Sequence, residues 1–306
     1  MARTVRVAAA QLAPVFLDRD ATVDKTCAAI AEAAANDAQL VVFPETFIPG
    51  YPYWAMVLDP LSINEFNRRL FDEAVEIPGP ATDALCAAAE QAECYAVIGL
   101  NERDGGTLYN AQLFVGPDGS LLGKRRKLVP TSFERMVWGR GDGRDLEVFE
   151  TPIGKLGALI CFEHSNALFR YALQAQGEQI HVANWPGGMP GLNNKIDAAI
   201  RHYAFEAQAF VVNATAVVTT EIISALGEGG SVDSLRPGGG YSAVVAAGGD
   251  YLADPVLEGE GLVYADLDLG QIADRKLIVD SAGHYARPDV VHLVLNRRPH
   301  GVLEVE

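Results

Sequence analysis

Short apolar runs alternate with helix-like segments along this chain, and at two places a tight turn replaces the helix. Residues 5–11, 39–43, 95–101, 108–115, 121–126, 146–150, 156–161, 179–184, 210–218, 241–246 and 261–267 read as strands. Residues 20–36, 62–75, 81–92, 165–176, 194–208 and 269–276 read as helices, with Asp20, Ser62 and Ser165 as expected caps and Pro80 ahead of the third. Strand–helix alternation alone would build a parallel sheet. Gly116-Pro117-Asp118-Gly119, and the turn around residues 152–154, instead join neighbouring strands directly. The expected class is therefore α/β with mixed sheets.

Bulk properties narrow the function. The chain has 306 residues, 49% hydrophobic composition and a net charge of −16. An acidic surface disfavours nucleic acid and anionic membranes as partners. No apolar stretch approaches the ~20 residues that span a bilayer, and the first residues run straight into a strand without a signal-peptide core. Cys27, Cys86, Cys94 and Cys161 show no CxxC pair and no zinc-like spacing. A soluble cytoplasmic protein in a reducing compartment is expected. Six glycines lie within residues 227–240, without the lysine and hydroxyl of a phosphate loop, so a mobile surface loop is expected there.

Three apolar runs end in residues that carry chemistry. Lys155-Leu156-Gly157-Ala158-Leu159-Ile160-Cys161 delivers a thiol to the start of a polar segment. Val41-Val42-Phe43-Pro44-Glu45 delivers a carboxylate, and Arg125-Arg126-Lys127 an ammonium. Strand ends are where catalytic groups collect in layered α/β proteins. A thiol near its ordinary pKa is mostly protonated at neutral pH, so it needs a base or a cationic neighbour. Neighbours Lys124, Arg125 and Arg126 read as a solvated hairpin end or as ion-pair partners.

These elements, in this order and spacing, resemble the nitrilase superfamily of carbon–nitrogen hydrolases from Val5 to about Asn296. The resemblance implies a four-layer α-β-β-α sandwich over residues 1–287. It also implies a Glu-Lys-Cys triad with a second glutamate. Glu45 would be the base, Lys127 the stabiliser, Cys161 the nucleophile and Glu134 the second glutamate. No metal or organic cofactor is implied. Three features resemble the nitrilase branch. They are the Trp138-Gly139-Arg140-Gly141-Asp142-Gly143 segment, His164 three residues after the cysteine, and residues 280–289 near the end. Phe162 departs from the tryptophan usual after the nucleophile. The substrate would then be a small-molecule nitrile. An amidase or N-carbamoyl amide hydrolase, or a nitrile or cyanide hydratase releasing amide, is the alternative. Tyr51, Trp54, Phe162, His164 and Trp185 are expected around the substrate, although the aromatic residues read equally well as packed anchors. Residues 288–306 read as a tail for subunit contact, and a homodimer or higher homo-oligomer is expected.

Overall fold

The computed structural model describes residues 4–228 and 230–298. In chain order the elements are β1 (Thr4–Gln11), α1 (Arg19–Ala35), β2 (Leu40–Val42), α2 (Trp54–Val57), α3 (Asn64–Glu73), α4 (Pro80–Ala92), β3 (Tyr95–Asp104), β4 (Thr107–Val115) and β5 (Leu121–Arg126). They continue as β6 (Phe149–Thr151), β7 (Gly154–Ile160), α5 (Ala167–Gln174), β8 (Ile180–Trp185), α6 (Leu192–Ala207), β9 (Phe210–Thr215), α7 (Thr220–Ala225), β10 (Ser242–Val245), β11 (Tyr251–Val256), β12 (Gly261–Asp268) and α8 (Gly270–Lys276).

The strands form two six-stranded sheets, ordered β12-β1-β2-β3-β4-β5 and β11-β10-β9-β8-β7-β6. Each has a parallel core, β1-β2-β3 in the first and β7-β8-β9 in the second. Hairpins add the antiparallel edges β4-β5 and β6. Strand β12 returns to the first sheet and pairs with β1 from Thr4↔Asp268 to Gln11↔Gly261.

Apolar residues occur on both faces of the inner strands, and each face has a partner. Val5, Val7, Leu40, Val42 and Val97 meet Leu156, Ala158, Ile180, Val182 and Phe210 between the sheets. Val41, Ala96, Ile98 and Leu113 face outward against Val23 and Ile30 of α1 and Leu85 and Ala89 of α4. Leu159, Ala183 and Val211 face outward against Leu173 of α5 and Ile196 and Ile200 of α6. The layers run α-β-β-α, as the resemblance implied.

Several local expectations are corrected. The α1 cap is Asp18, whose extended backbone lets its carboxylate accept from the Ala21 N–H at 3.0 Å; Asp20 lies inside the first turn. Ser62 bonds Asp59 instead of capping, and α3 begins at Asn64. Ser165 closes the turn after Cys161, and Asn166 caps α5. Strand β11 carries Pro255 and alternates half-buried with exposed residues; it is tolerated because it lies at a sheet edge. In the glycine-rich stretch, residues 231, 238 and 239 touch the body of the fold. Val218 and Gly238 exchange backbone hydrogen bonds of 3.0 and 2.8 Å, and the Ser231 N–H donates to Val57 O. A Cβ on Gly239 would lie 2.2 Å from Gly188 N, so backbone packs on backbone there. Within the tail, Leu293 and Leu295 pack against the α5–α6 layer of the same chain; residues 299–306 lie outside the described residues.

Candidate active site

The two sheets bring their chemistry-bearing ends together. Glu45 lies three residues past β2, Lys127 directly follows β5 and Cys161 directly follows β7. All three are buried, as is Glu134. Lys127 Nζ lies 2.8 Å from Glu45 Oε1 and 2.8 Å from Glu134 Oε2. A carboxylate oxygen of Glu45, one of Glu134 and the Cys161 sulfur lie within 4.8 Å of one another. Two carboxylates and a thiol are also metal-ligand types, but here the Lys127 ammonium bonds both carboxylates and competes for those oxygens. The four residues of the expected constellation are thus assembled from segments 116 positions apart in sequence (45 to 161).

Neighbouring groups fix the cluster. On β4, Asn110 donates from Nδ2 to Glu45 Oε1 at 2.7 Å, and its carbonyl accepts the Lys127 N–H at 2.8 Å. One residue therefore sets both members of the pair. Glu134 accepts from the Thr131 N–H at 2.6 Å and from the Tyr51 hydroxyl at 2.8 Å. Tyr51, expected near substrate, packs among Tyr53, Phe133 and Trp138 and reaches the site through Glu134. Gly141 donates its N–H to Lys127 O at 2.8 Å, and a Cβ on it would lie 2.4 Å from Arg126 O. The Gly-Asp-Gly segment thus lies directly against the lysine strand.

The other expected substrate residues divide. Trp54 is buried, stacks on Phe66 at 5.4 Å and donates its indole N–H to Asn67, which makes it a packing anchor. Phe162 meets Trp185 edge-on at 5.6 Å. Trp185 in turn stacks on His164 at 5.3 Å. Both ring nitrogens of His164 are engaged, one at the Cys161 carbonyl oxygen and one at His181.

The electrostatics follow from burial. Burial pushes the Glu45 carboxyl up to about 7; Lys127 opposes that shift and Glu134 adds to it. Burial pushes the Cys161 thiol well up, reinforced by Glu45 and opposed by Lys127. Burial pulls the Lys127 ammonium down, but Glu45, Cys161 and Glu134 outweigh it, so it is held above its ordinary value. At rest the thiol therefore keeps its proton. Glu45 Oε1 is occupied by Asn110 and Lys127, while Oε2 has no hydrogen-bond partner among the described residues. An unpartnered carboxylate oxygen in a cluster with a thiol can accept a proton.

Cys161 has φ +51°, an uncommon backbone conformation for a non-glycine residue. The turn that holds it is pinned by Glu163. Its carboxylate accepts from the Ile160 N–H and the Leu128 N–H, each at 2.7 Å, and from Arg125 at 2.7 and 3.0 Å. Arg125 is 2% exposed, so it belongs to the interior and not to a solvated hairpin end. This pair joins the lysine strand to the cysteine turn. Both residues stand in the sequence as ordinary charged neighbours of the triad, and only their burial distinguishes them. Replacing Arg125 with leucine is expected to leave Glu163 buried and unpaired, and to lower unfolding stability by about 3–5 kcal/mol. Urea titration of the two proteins measures it; an unchanged midpoint would show that the pair is not needed.

Comparison with known proteins is consistent with this geometry. The carbon-nitrogen hydrolase family model matches residues 6–276. The chain belongs to the carbon-nitrogen hydrolase family. This hydrolase is 45% identical to a nitrilase of Paraburkholderia phymatum over 97% of its own length and 88% of that protein's. It is 43% identical to an aliphatic nitrilase of Rhodococcus rhodochrous, covering 96% of this chain and 83% of the relative. A solved carbon-nitrogen hydrolase of Helicobacter pylori superposes with a TM-score of 0.76 at 20% identity, over 94% of this chain and 96% of that one, and so shares the fold. No helix among the described residues is long and apolar enough to cross a membrane.

Proposed function

We propose that this carbon-nitrogen hydrolase is a nitrilase, converting a small organic nitrile to its carboxylic acid and ammonia. The carrying observation is the buried cluster of Glu45, Glu134 and the Cys161 thiol, with Glu45 Oε2 unpartnered among the described residues and Lys127 held between the two carboxylates. The identities of 40–46% to proteins named as nitrilases support the choice of substrate class.

The resting cluster has two carboxylates and one ammonium. Adding a thiolate would concentrate a second net negative charge in a buried site, so the proton leaves sulfur as attack proceeds. Glu45 takes it, sulfur bonds the nitrile carbon, and charge develops on nitrogen. The Lys127 ammonium, held in the same cluster, is the cation that stabilises that charge. Glu45 hands that proton on to the nitrogen, which gives a thioimidate and restores the carboxylate. Glu45 then draws a proton from water, which adds to the same carbon. Ammonia leaves and a thioester remains. A second water releases the acid and restores the thiol. Glu134, fixed by Thr131 and Tyr51, holds the ammonium in place throughout.

Assay of ammonia and organic product on a panel of nitriles, each paired with its amide, tests this reading. Acid from nitriles but not from amides is expected. Turnover of amides alone would make the enzyme an amidase, and amide as the main product from nitriles would make it a hydratase.

The base has a pH signature. Glu45 must be ionised to accept the thiol proton, and its carboxyl is pushed up to about 7. The ionised form is lost as pH falls through that value, so kcat/KM is expected to fall about tenfold per pH unit below it. A pH–rate profile from pH 5 to 9 measures this; a flat acid side would remove Glu45 from the role.

A further inference from the structure

Behind the nucleophile runs a line of buried polar groups that the steps above do not use. The Cys161 carbonyl oxygen lies 2.7 Å from His164 Nδ1. His164 Nε2 lies 2.9 Å from His181 Nε2, and His181 Nδ1 lies 2.8 Å from Glu178 Oε1. The Tyr203 hydroxyl donates to the other Glu178 oxygen. Glu178, His181, Tyr203 and His164 are at most 2% exposed. Glu178 lies two residues before β8, His181 within it, and Tyr203 on α6. Gly157 on β7 leaves the room, since a Cβ there would lie 2.1 Å from Glu178 Oε1.

The donors in this line run one way. A carbonyl only accepts, so His164 Nδ1 carries the hydrogen. With the ring neutral, its Nε2 is a lone pair, and His181 must donate from Nε2. A neutral His181 then presents a lone pair at Nδ1, and the 2.8 Å contact requires a hydrogen from Glu178. One proton shared by Glu178 and His181 therefore sets the whole order.

We propose that Glu178, His181 and His164 form a one-proton relay of positioning residues that holds the Cys161 carbonyl and so keeps the nucleophile in its strained turn. Loss of that proton would draw the His181 hydrogen to Nδ1, toward the new carboxylate. Two lone pairs would then face each other at the histidine contact. Relief would need His164 to shift its hydrogen to Nε2, which takes the donor away from the Cys161 carbonyl. The proposal rests on Cys161 being the nucleophile.

The charged and titratable surroundings agree. Burial pushes the Glu178 carboxyl up to about 8, against the Tyr203 bond and Arg125. Burial pulls His164 down to about 3 and His181 well below its ordinary value. Arg125 from β5 and Glu163 from the cysteine turn act on both histidines. Arg170 of α5 donates to the His164 carbonyl at 2.7 Å and pairs with Glu206 of α6. None of these donates to the histidine nitrogens, so the relay's order is left to its own proton.

Glu178→Gln and Glu178→Leu test the relay. A glutamine amide donates to His181 and accepts from Tyr203, copying the protonated carboxyl without its titration. E178Q is expected to keep kcat within about threefold of the wild type at pH 7 and to lack the wild type's fall in kcat above pH about 8. E178L is expected to lose kcat by roughly 10–100-fold with KM little changed. An E178Q profile that superimposes on the wild type's, or an E178L enzyme with wild-type kcat, would overturn the proposal. If E178L does not fold, the E178Q comparison decides alone. The rate of Cys161 alkylation by iodoacetamide, read by intact mass at the same pH values, needs no nitrile. It separates a failed relay from a failed nitrilase reading, because alkylation with no nitrile turnover removes only the latter.

Discussion

Cys161→Ala is expected to abolish nitrile turnover while leaving the fold intact. Removing the nucleophile of a covalent mechanism typically costs roughly a million-fold in kcat. No other thiol can substitute. Cys94 is buried on the far helical layer, and Cys27 and Cys86 sit on α1 and α4. The fold should survive because alanine meets the same backbone demand at φ +51° and loses only one sulfur from a packed site. A stability change within about 2 kcal/mol is expected, in the range of ordinary core substitutions. The decisive measurement pairs kinetics with intact mass after quenching a slow nitrile. Wild-type protein should carry an adduct on Cys161 and the variant none. Activity within tenfold of wild type in the variant would rule out covalent catalysis at this residue.

Lys127→Met has the next largest effect, because it acts on two properties at once. The ammonium is the cation shared by Glu45 and Glu134, both buried. Removing one partner of a buried ionic cluster costs about 3–5 kcal/mol. Removing a donor aimed at developing charge costs about a hundred- to a thousandfold in rate. A further loss follows at neutral pH. Lys127 holds the Glu45 carboxyl down against burial, so without it the base takes up a proton. Raising the pH should return part of the base's contribution and none of the stabiliser's. The expected result is a variant with lowered unfolding midpoint, strongly reduced kcat/KM at pH 7, and only partial recovery at pH 9. Full recovery at high pH would mean that Lys127 tunes the base and does not stabilise charge on the substrate.

How much of this was legible beforehand depends on where each residue stands in its local pattern. Glu45 and Cys161 stand at the ends of apolar runs, so the local pattern exposes them, whereas Lys127 follows Lys124, Arg125 and Arg126 and is singled out only by the family resemblance. Asn110 stands inside β4 among residues of alternating character, and nothing local separates it from any other strand polar residue. Glu178 and His181 flank the start of β8, and nothing in their local pattern joins them to the cysteine turn. They are interior because α6 lays Tyr203 over them, a contact between segments 22 residues apart (181 to 203). Trp54 had the opposite fate. Its place in an aromatic loop resembled a substrate wall, yet the indole is taken by Asn67 and Phe66. The layered architecture was readable because hydrophobicity on both strand faces requires cover on both. Cap positions are less legible, since several polar residues stand near each helix start and the backbone dihedral decides between Asp18 and Asp20.

The proposed triad is divided between the sheets: Glu45 and Lys127 extend from one, Cys161 from the other, and the main core lies between them. Neither half owns a reaction centre. A refolding molecule can complete either sheet and remain inert until the two faces meet and the Arg125–Glu163 bond closes across them. The return of catalysis during refolding is therefore a clock for the docking of the two halves. It should lag the recovery of strand content seen by far-ultraviolet circular dichroism.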